Sequence, residues 1–373
     1  MDFSFTEEQE ILRDTAKRFI QNECGTEFVK QLVDGNREFT DEIWQKMVEL
    51  GWTSILIPEE YDGLGLSFVD LSVILEEMGK GPLPGPFTSS VVLAGETIRL
   101  AENPQKAQHY LSRLGAGEIR GTLAWAEEGD LNMWDNINLS ARVQGDAFIL
   151  DGRKVFVPHA DQADFVVCVA LCEGETALFV VDIPCPGLKI NKIDTLDRTT
   201  SLCLLDFGST LIPRDALLAK GKSAETVLGS VLNRINVAYA LDMVGGGQKV
   251  LDIGVEYAKT RIQFGQPIGA FQAIKHKAAE LLMEIEGARS IVYYAAWAQD
   301  QEGTESTVSA SAAKVFCTEM YRNVTKEVLQ ILGGIGFSWE HELHIFLKRA
   351  KCLGTLFGDV SFHREKLAVA LNY

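Results

Sequence analysis

The sequence predicts an α+β chain in three parts: helices, then a β region, then helices again. Three observations carry this. Apolar residues recur at helical spacing up to about residue 115 and again from Ser223 onward. Between these stretches lie short β-prone runs separated by turns. No internal repeat and no low-complexity linker interrupts the order, so one compact subunit of three domains is expected, at 1–118, 119–220 and 221–373.

The first part opens on a capping box, Thr6-Glu7-Glu8-Gln9, in which Thr6 takes an orphan N–H and Gln9 reaches back to the cap. Ile11, Leu12, Ala16, Phe19 and Ile20 then give one apolar face. A second helix starts near Thr40-Asp41-Glu42 and carries Ile43, Trp44, Met47, Val48 and Leu50. Pro58 to Gly65 reads as a plain loop, because no strand precedes its glycines and no dinucleotide fingerprint completes them. Helices are expected over Val69–Gly79 and Ser89–Leu100, with Gly81-Pro82-Leu83-Pro84-Gly85-Pro86 as a rigid turn between them.

The period changes near Gly121. Thr122–Trp125, Ala147–Leu150, Phe165–Leu171, Ala177–Val181 and Leu202–Phe207 are short β-prone runs, parted by turns such as Gln144-Gly145-Asp146 and Asp151-Gly152. The β region closes near Pro213-Arg214-Asp215. Long amphipathic helices follow over 224–260, 271–300, 305–332 and 341–352, enough for a bundle.

Composition narrows the function. The chain of 373 residues is 46% hydrophobic with a net charge of -17, which argues against a nucleic-acid binder but leaves room for a polyanionic small ligand at a local basic cluster. Seven scattered cysteines without a Cys-x-x-Cys point to reduced thiols in a cytoplasmic protein. Met1–Ser4 leads straight into a helix start, so neither a signal peptide nor a membrane span is expected.

Several motifs have bland readings that win. Gly245-Gly246-Gly247-Gln248-Lys249 lacks the phosphate-loop ending and lies in a helical pattern, so close helix crossing is favoured. His341 and His344 sit one helical turn apart, but no second ligand pair matches them, and an exposed helix start is favoured; no metal is expected. No Gly-x-Ser-x-Gly occurs.

Arg261 to Gln272 is different. Gly265, Pro267 and Gly269 break the helix pattern, and a cation, an aromatic and amides crowd the break. Free backbone N–H groups at the next helix start make this an anion-binding corner. Gln330-Ile331-Leu332-Gly333-Gly334-Ile335-Gly336-Phe337 ends a helix on paired glycines, either as a plain C-cap or as bare backbone that a flat or anionic ligand can approach.

Taken together, Arg261-x-Gln263-Phe264-Gly265-x-Pro267-Ile268-Gly269-x-Phe271-Gln272 and the Gln330–Phe337 stretch resemble the acyl-CoA dehydrogenase family. Phe5-Thr6-Glu7-Glu8-Gln9, the Ile57–Gly65 loop and the helix–β–helix order match as well, so the resemblance covers essentially the whole chain. It implies an N-terminal helical domain, a middle β-barrel or sandwich domain and a C-terminal four-helix bundle. It also implies an oligomeric flavoprotein that uses FAD to remove hydrogens from Cα and Cβ of an acyl-CoA thioester. In such enzymes a carboxylate takes the α-proton, flavin accepts the β-hydride, and electrons pass to an electron-transfer flavoprotein. Family members are usually dimers of dimers in which these motifs reach a neighbour's FAD. Arg261, Gln263, Phe264, Gln272, Gln330, Gly333 and Gly334 match those cofactor-binding positions.

The departures concern the chemistry. The family's usual base is a Glu before a Gly near the C-terminus, and Phe357 stands there, in Leu356-Phe357-Gly358-Asp359. An alternative base position used by some members falls on Ile235, followed by Asn236. The family's Thr-Glu-Pro segment reads Ala126-Glu127-Glu128, and its Trp-Ile-Thr segment reads Phe156-Val157-Pro158. Two expectations follow. In the first, the chain is a dehydrogenase with a relocated base, with Asp359 as first candidate, Asp242 second, and Glu127 and Glu128 third. In the second, it is the non-catalytic partner of a sister subunit, lending Arg261 and Gln330 across the interface. A scaffold without flavin would leave the Arg261–Gln272 corner without a purpose.

Overall fold

The computed structural model describes residues 5–35, 39–129, 137–301 and 303–372; Met1–Ser4, read above as leading into a helix, lie outside them. The chain opens with helices α1 (Glu7–Glu23), α2 (Thr26–Val33), α3 (Asp41–Glu49), α4 (Phe68–Lys80), α5 (Glu96–Leu100) and α6 (Pro104–Gly115). Strands β1 (Gly121–Ala124), β2 (Ser140–Gln144), β3 (Ala147–Pro158), β4 (Phe165–Cys172), β5 (Glu175–Asp182), β6 (Leu188–Ile193), β7 (Leu202–Pro213) and β8 (Leu217–Lys220) follow. The last part holds α7 (Lys222–Thr260), a small hairpin of β9 (Ile262–Gln263) and β10 (Gln266–Pro267), α8 (Gln272–Ala298), α9 (Glu305–Leu332), α10 (Leu343–Leu353) and α11 (Val360–Ala370).

The expected helix–β–helix order is therefore the observed one, with differences in detail. The capping box forms: Thr6 Oγ1 accepts from the Gln9 amide at 3.2 Å, and Gln9 Oε1 accepts from the Thr6 amide at 3.1 Å. On α1, Ala16, Phe19 and Ile20 are buried, but Ile11 is 64% exposed and does not belong to the apolar face. Ser89–Gly95 is π-helical, and α5 begins only at Glu96. The helix expected from 341 starts at Leu343, because His341 Nδ1 accepts the Leu343 amide and caps the turn before it.

Contacts divide the chain into two units. One comprises residues 39–67 and 85–235: α3, α5, α6, the whole sheet and α7 up to Ile235. Its strands run in the order β6-β7-β3-β2-β4-β5-β8, with β1 added parallel to β4. β2 also pairs with β4 in parallel, while the other pairings of this sheet are antiparallel. Phe148, Leu150, Cys168, Phe179, Leu205 and Phe207 fill the core on one face of the sheet. Burying six such side chains contributes on the order of 10 kcal/mol before entropy is counted.

The other unit comprises residues up to 38, 68–84 and 236–373: α1, α2, α4, the rest of α7, and α8 to α11. Close helix crossing is the observed role of the Gly245–Gly247 run. A Cβ at Gly245 would sit 1.9 Å from the Glu76 carbonyl oxygen of α4, and one at Gly246 2.4 Å from the Tyr321 hydroxyl of α9. Arg289 of α8 donates to Glu76 at 3.0 Å, and Tyr293 donates to the other oxygen of the same carboxylate at 3.0 Å. The buried acid thus has its partners where backbones touch. No helix among the described residues is long and apolar enough to cross a membrane, and all seven cysteines are free thiols.

Candidate active site

The Arg261–Gln272 corner is a tight hairpin. Phe264 and Gly265 turn it with φ of 51° and 80°, the pair of positive values that a two-residue hairpin needs. Its strands pair Gln266 with Gln263 and Pro267 with Ile262. Gly269 packs against α7, where a Cβ would meet the Ala258 carbonyl at 3.0 Å, and this fixes where α8 begins. Phe271, the residue before α8, offers no side-chain cap, so the first N–H groups of α8 stay open. Phe264 is 94% exposed. Arg261, Gln263 and Gln272 are exposed too. Among the described residues no acid pairs with the Arg261 guanidinium.

The Gln330–Phe337 stretch leaves α9 in the same manner. Gly333 has φ 63° and ψ −137°, a conformation closed to other residues, and space is open around the Cβ positions of both Gly333 and Gly334. Phe337 is 78% exposed. Gly333 caps α9, its N–H donating to the Leu329 carbonyl, and Gly334 is exposed, so backbone here is bare toward the outside.

The loop from Leu353 to Asp359, which carries the position of the missing Glu, has the opposite character. Lys314 of α9, fully buried, donates to the Leu353 carbonyl at 2.5 Å and to the Leu356 carbonyl at 2.9 Å. Asn236 Nδ2 of α7 donates to the Phe357 carbonyl at 3.2 Å. His363 Nε2 of α11 lies 3.1 Å from that same oxygen, and its Nδ1 lies 3.3 Å from Ser311 Oγ. A carbonyl only accepts, so Nε2 carries the proton and Nδ1 accepts from the serine. Burial, reinforced by the Lys314 and Lys366 charges, lowers the His363 pKa to about 3, so the ring is neutral. Burial likewise lowers the Lys314 pKa to about 7. Phe357 itself sits at φ 57°, its ring 5.9 Å from that of Tyr239.

The candidate carboxylates separate by environment. Asp359 is exposed and caps α11, with Oδ1 accepting from the Phe362 amide at 2.9 Å. Asp242 is buried and held by Arg349 through two bonds, of 2.9 and 2.6 Å. Glu127 is buried and accepts from Lys154 at 2.6 Å and from the Asn138 and Leu139 amides at 2.8 and 3.0 Å. Both carboxylates are thus engaged by a cation inside the protein, and Glu127 by two backbone amides as well. Glu128 is exposed near Arg153. Ile235 is fully buried, without a group to move a proton. In the sheet unit the Ala126 carbonyl accepts from the Val155 amide at 2.8 Å, and the Pro158 carbonyl accepts from the Thr122 hydroxyl at 2.6 Å. Neither 126 nor 158 presents a hydroxyl.

Sequence reasoning missed Lys314 and His363 and met Asn236 only as the neighbour of a possible base position; the one signal for Lys314 is a lone lysine inside the apolar run Ala312-Ala313-Lys314-Val315-Phe316.

Helices, a β region and helices again, with an exposed, glycine-opened corner in the last part, are the order of a family of oxidoreductases whose two domain patterns match this chain. The acyl-CoA dehydrogenase N-terminal domain pattern matches residues 6–118 and the acyl-CoA dehydrogenase C-terminal domain pattern matches residues 226–371. The short-chain specific acyl-CoA dehydrogenase of Bos taurus mitochondria is 30% identical over 341 residues, covering 89% of this chain and 82% of the relative. The chain belongs to the acyl-CoA dehydrogenase family, oxidoreductases that act on CH–CH groups. The probable acyl-CoA dehydrogenase YngJ of Bacillus subtilis is 29% identical over 382 residues, 99% of each chain. The fold is that of a glutaryl-CoA dehydrogenase from Mycobacterium smegmatis solved in complex with FADH2, with a TM-score of 0.90 at 20% identity, covering 98% and 95% of the two chains.

Proposed function

We propose that this chain catalyses α,β-dehydrogenation of an acyl-CoA thioester, with FAD as hydride acceptor and Asp359 as the base. The observation that carries it is the Arg261–Gln272 hairpin, folded and exposed with its guanidinium free of any acid among the described residues; the bare backbone at Gly333–Gly334 adds to it. These residues fit FAD. Arg261 and the uncapped start of α8 suit a pyrophosphate. Gln263, Gln272 and Gln330 offer amides, Phe264 offers a ring face, and Gly333 and Gly334 allow close approach to backbone. Bound there, FAD supplies the two-electron acceptor for the β-hydrogen.

Asp359 remains the base candidate because Asp242 and Glu127 are committed to buried cations, whereas Asp359 spends one oxygen on a helix cap and faces outward. Position 357 itself has no proton acceptor. The exposure of Phe264 and Phe337 supports an oligomer in which the corner serves a neighbour's FAD. An electron-transfer flavoprotein is the expected electron acceptor, and the cytoplasm the expected location.

The test is a visible spectrum of the purified chain with FAD stoichiometry. A full flavin complement bleached by an acyl-CoA is the expected outcome. A colourless protein that gains flavin only when co-expressed with a sister dehydrogenase would replace this reading with that of a non-catalytic partner.

A further inference from the structure

We propose that Lys314, Asn236 and His363 are positioning residues that clamp the Leu353–Gly358 backbone from inside the helical unit and thereby aim the residues of that loop at the reacting centre. Three donors from three helices, α9, α7 and α11, converge on three carbonyls of one six-residue stretch. The Phe357 carbonyl accepts two of the four bonds.

Packing alone does not explain the lysine. Its ammonium is fully buried, no acid pairs with it among the described residues, and the Tyr239 ring lies 5.5 Å from Nζ. Burying an ammonium without a counter-ion is costly, and an apolar side chain of the same length would fill the volume without that cost. What a lysine adds is an N–H donor at the C-terminus of α10, where Leu353 would otherwise leave its carbonyl unmet. The neighbouring backbone shows what the clamp sustains. Phe357 holds a positive φ of 57° that a residue with a Cβ adopts only under constraint. Gly358 follows at φ 107°, where a Cβ would lie 2.7 Å from His363 Nε2. The aim of residues 357 to 359 is thus over-determined from behind, by groups that are themselves buried.

This rests on reading the loop as part of the active site, so the experiment has a readout that needs no turnover. Amide hydrogen exchange is measured on the purified chain and on Lys314→Met, together with kcat and KM for an acyl-CoA. In Lys314→Met, exchange of the Thr355, Leu356, Phe362 and His363 amides is expected to rise about tenfold or more while α9 keeps its protection. A fall in kcat of about tenfold to a hundredfold with KM nearly unchanged is expected alongside. Unchanged exchange in a folded variant overturns the proposal, and so does faster exchange with unchanged kcat. Should Lys314→Met fail to fold, Asn236→Ala removes one of the two bonds to the Phe357 carbonyl and is expected to shift the same amides. A wild-type chain without turnover fails the dehydrogenase reading instead, and the exchange data then still decide whether the clamp holds the loop.

Discussion

The Arg261–Gln272 hairpin and the Leu353–Asp359 loop lie in the same helical unit and are built on opposite plans. The hairpin sends its cation, its amides and a 94% exposed phenylalanine outward, and beyond its own turn the interior grips it mainly at Gly269. The loop turns its carbonyls inward onto a lysine, an asparagine and a histidine. The first is shaped by its own turn and completed by whatever it binds. The second is shaped by the fold before anything binds. Changes in the hairpin should therefore cost affinity and leave stability alone, whereas changes to the groups that grip the loop backbone should cost both stability and chemistry.

The largest effect is expected from Asp359→Asn, which separates the chemistry of the loop from the grip on its backbone. The amide still caps α11, so melting should be nearly unchanged while kcat falls by about 10²- to 10⁴-fold if the carboxylate is the base. Full activity in a folded Asp359→Asn would remove this residue from the chemistry.

Acid should find the loop next. His363 has a folded pKa of about 3, below its unfolded value of 6.5, so the unfolded chain takes up a proton first. Stability should fall as pH drops from about 6.5, by roughly 3 kcal/mol at pH 4, and denaturant midpoints should show the loss shrinking in His363→Gln. Lys314 has the same sign at higher pH: its folded pKa of about 7 lies below the ordinary 10.5, so its share of stability grows as pH rises between those values.

Gly358→Ala adds a methyl 2.4 Å from the Phe362 ring at a φ of 107° and should lower stability by about 1–3 kcal/mol in thermal melts. Arg261→Ala should change melting of the flavin-free chain by less than about 0.5 kcal/mol. It should nevertheless weaken FAD binding about tenfold to a hundredfold, as titration would read, through loss of a charge-assisted hydrogen bond. A hairpin variant that unfolds the chain would break the contrast from the other side.

Much of this architecture is legible in the residues, and what is not has a common cause. The change from helical to β period near Gly121 and back near Ser223 marks the three parts, because burial on one face imposes spacing on sequence. β2, β6 and β8 escape notice because charged residues and short lengths blur their alternation, as in Leu188-Lys189-Ile190-Asn191-Lys192-Ile193. α11 escapes because Phe362, Leu367 and Val369 do not form one stripe, and only its cap, Asp359, stands out. The break at Arg261–Gln272 is readable because its turn residues are local, although its two short strands, β9 and β10, are not. The clamp is not, because Lys314 meets carbonyls 39 and 42 residues away, and a carbonyl belongs to every residue type. Asp242 and Arg349, 107 residues apart, illustrate the same limit: the acid reads as a base candidate until its cation is seen.

The low pKa of Lys314 gives the molecule a built-in clock. An amine that is substantially unprotonated at neutral pH is a ready nucleophile toward acylating reagents, yet this one is sealed from solvent. Its labelling should wait for the seam between α9 and the loop to part. The rate at which that single amine is modified, read by mass against the surface lysines, would count how often the interior of this subunit breathes.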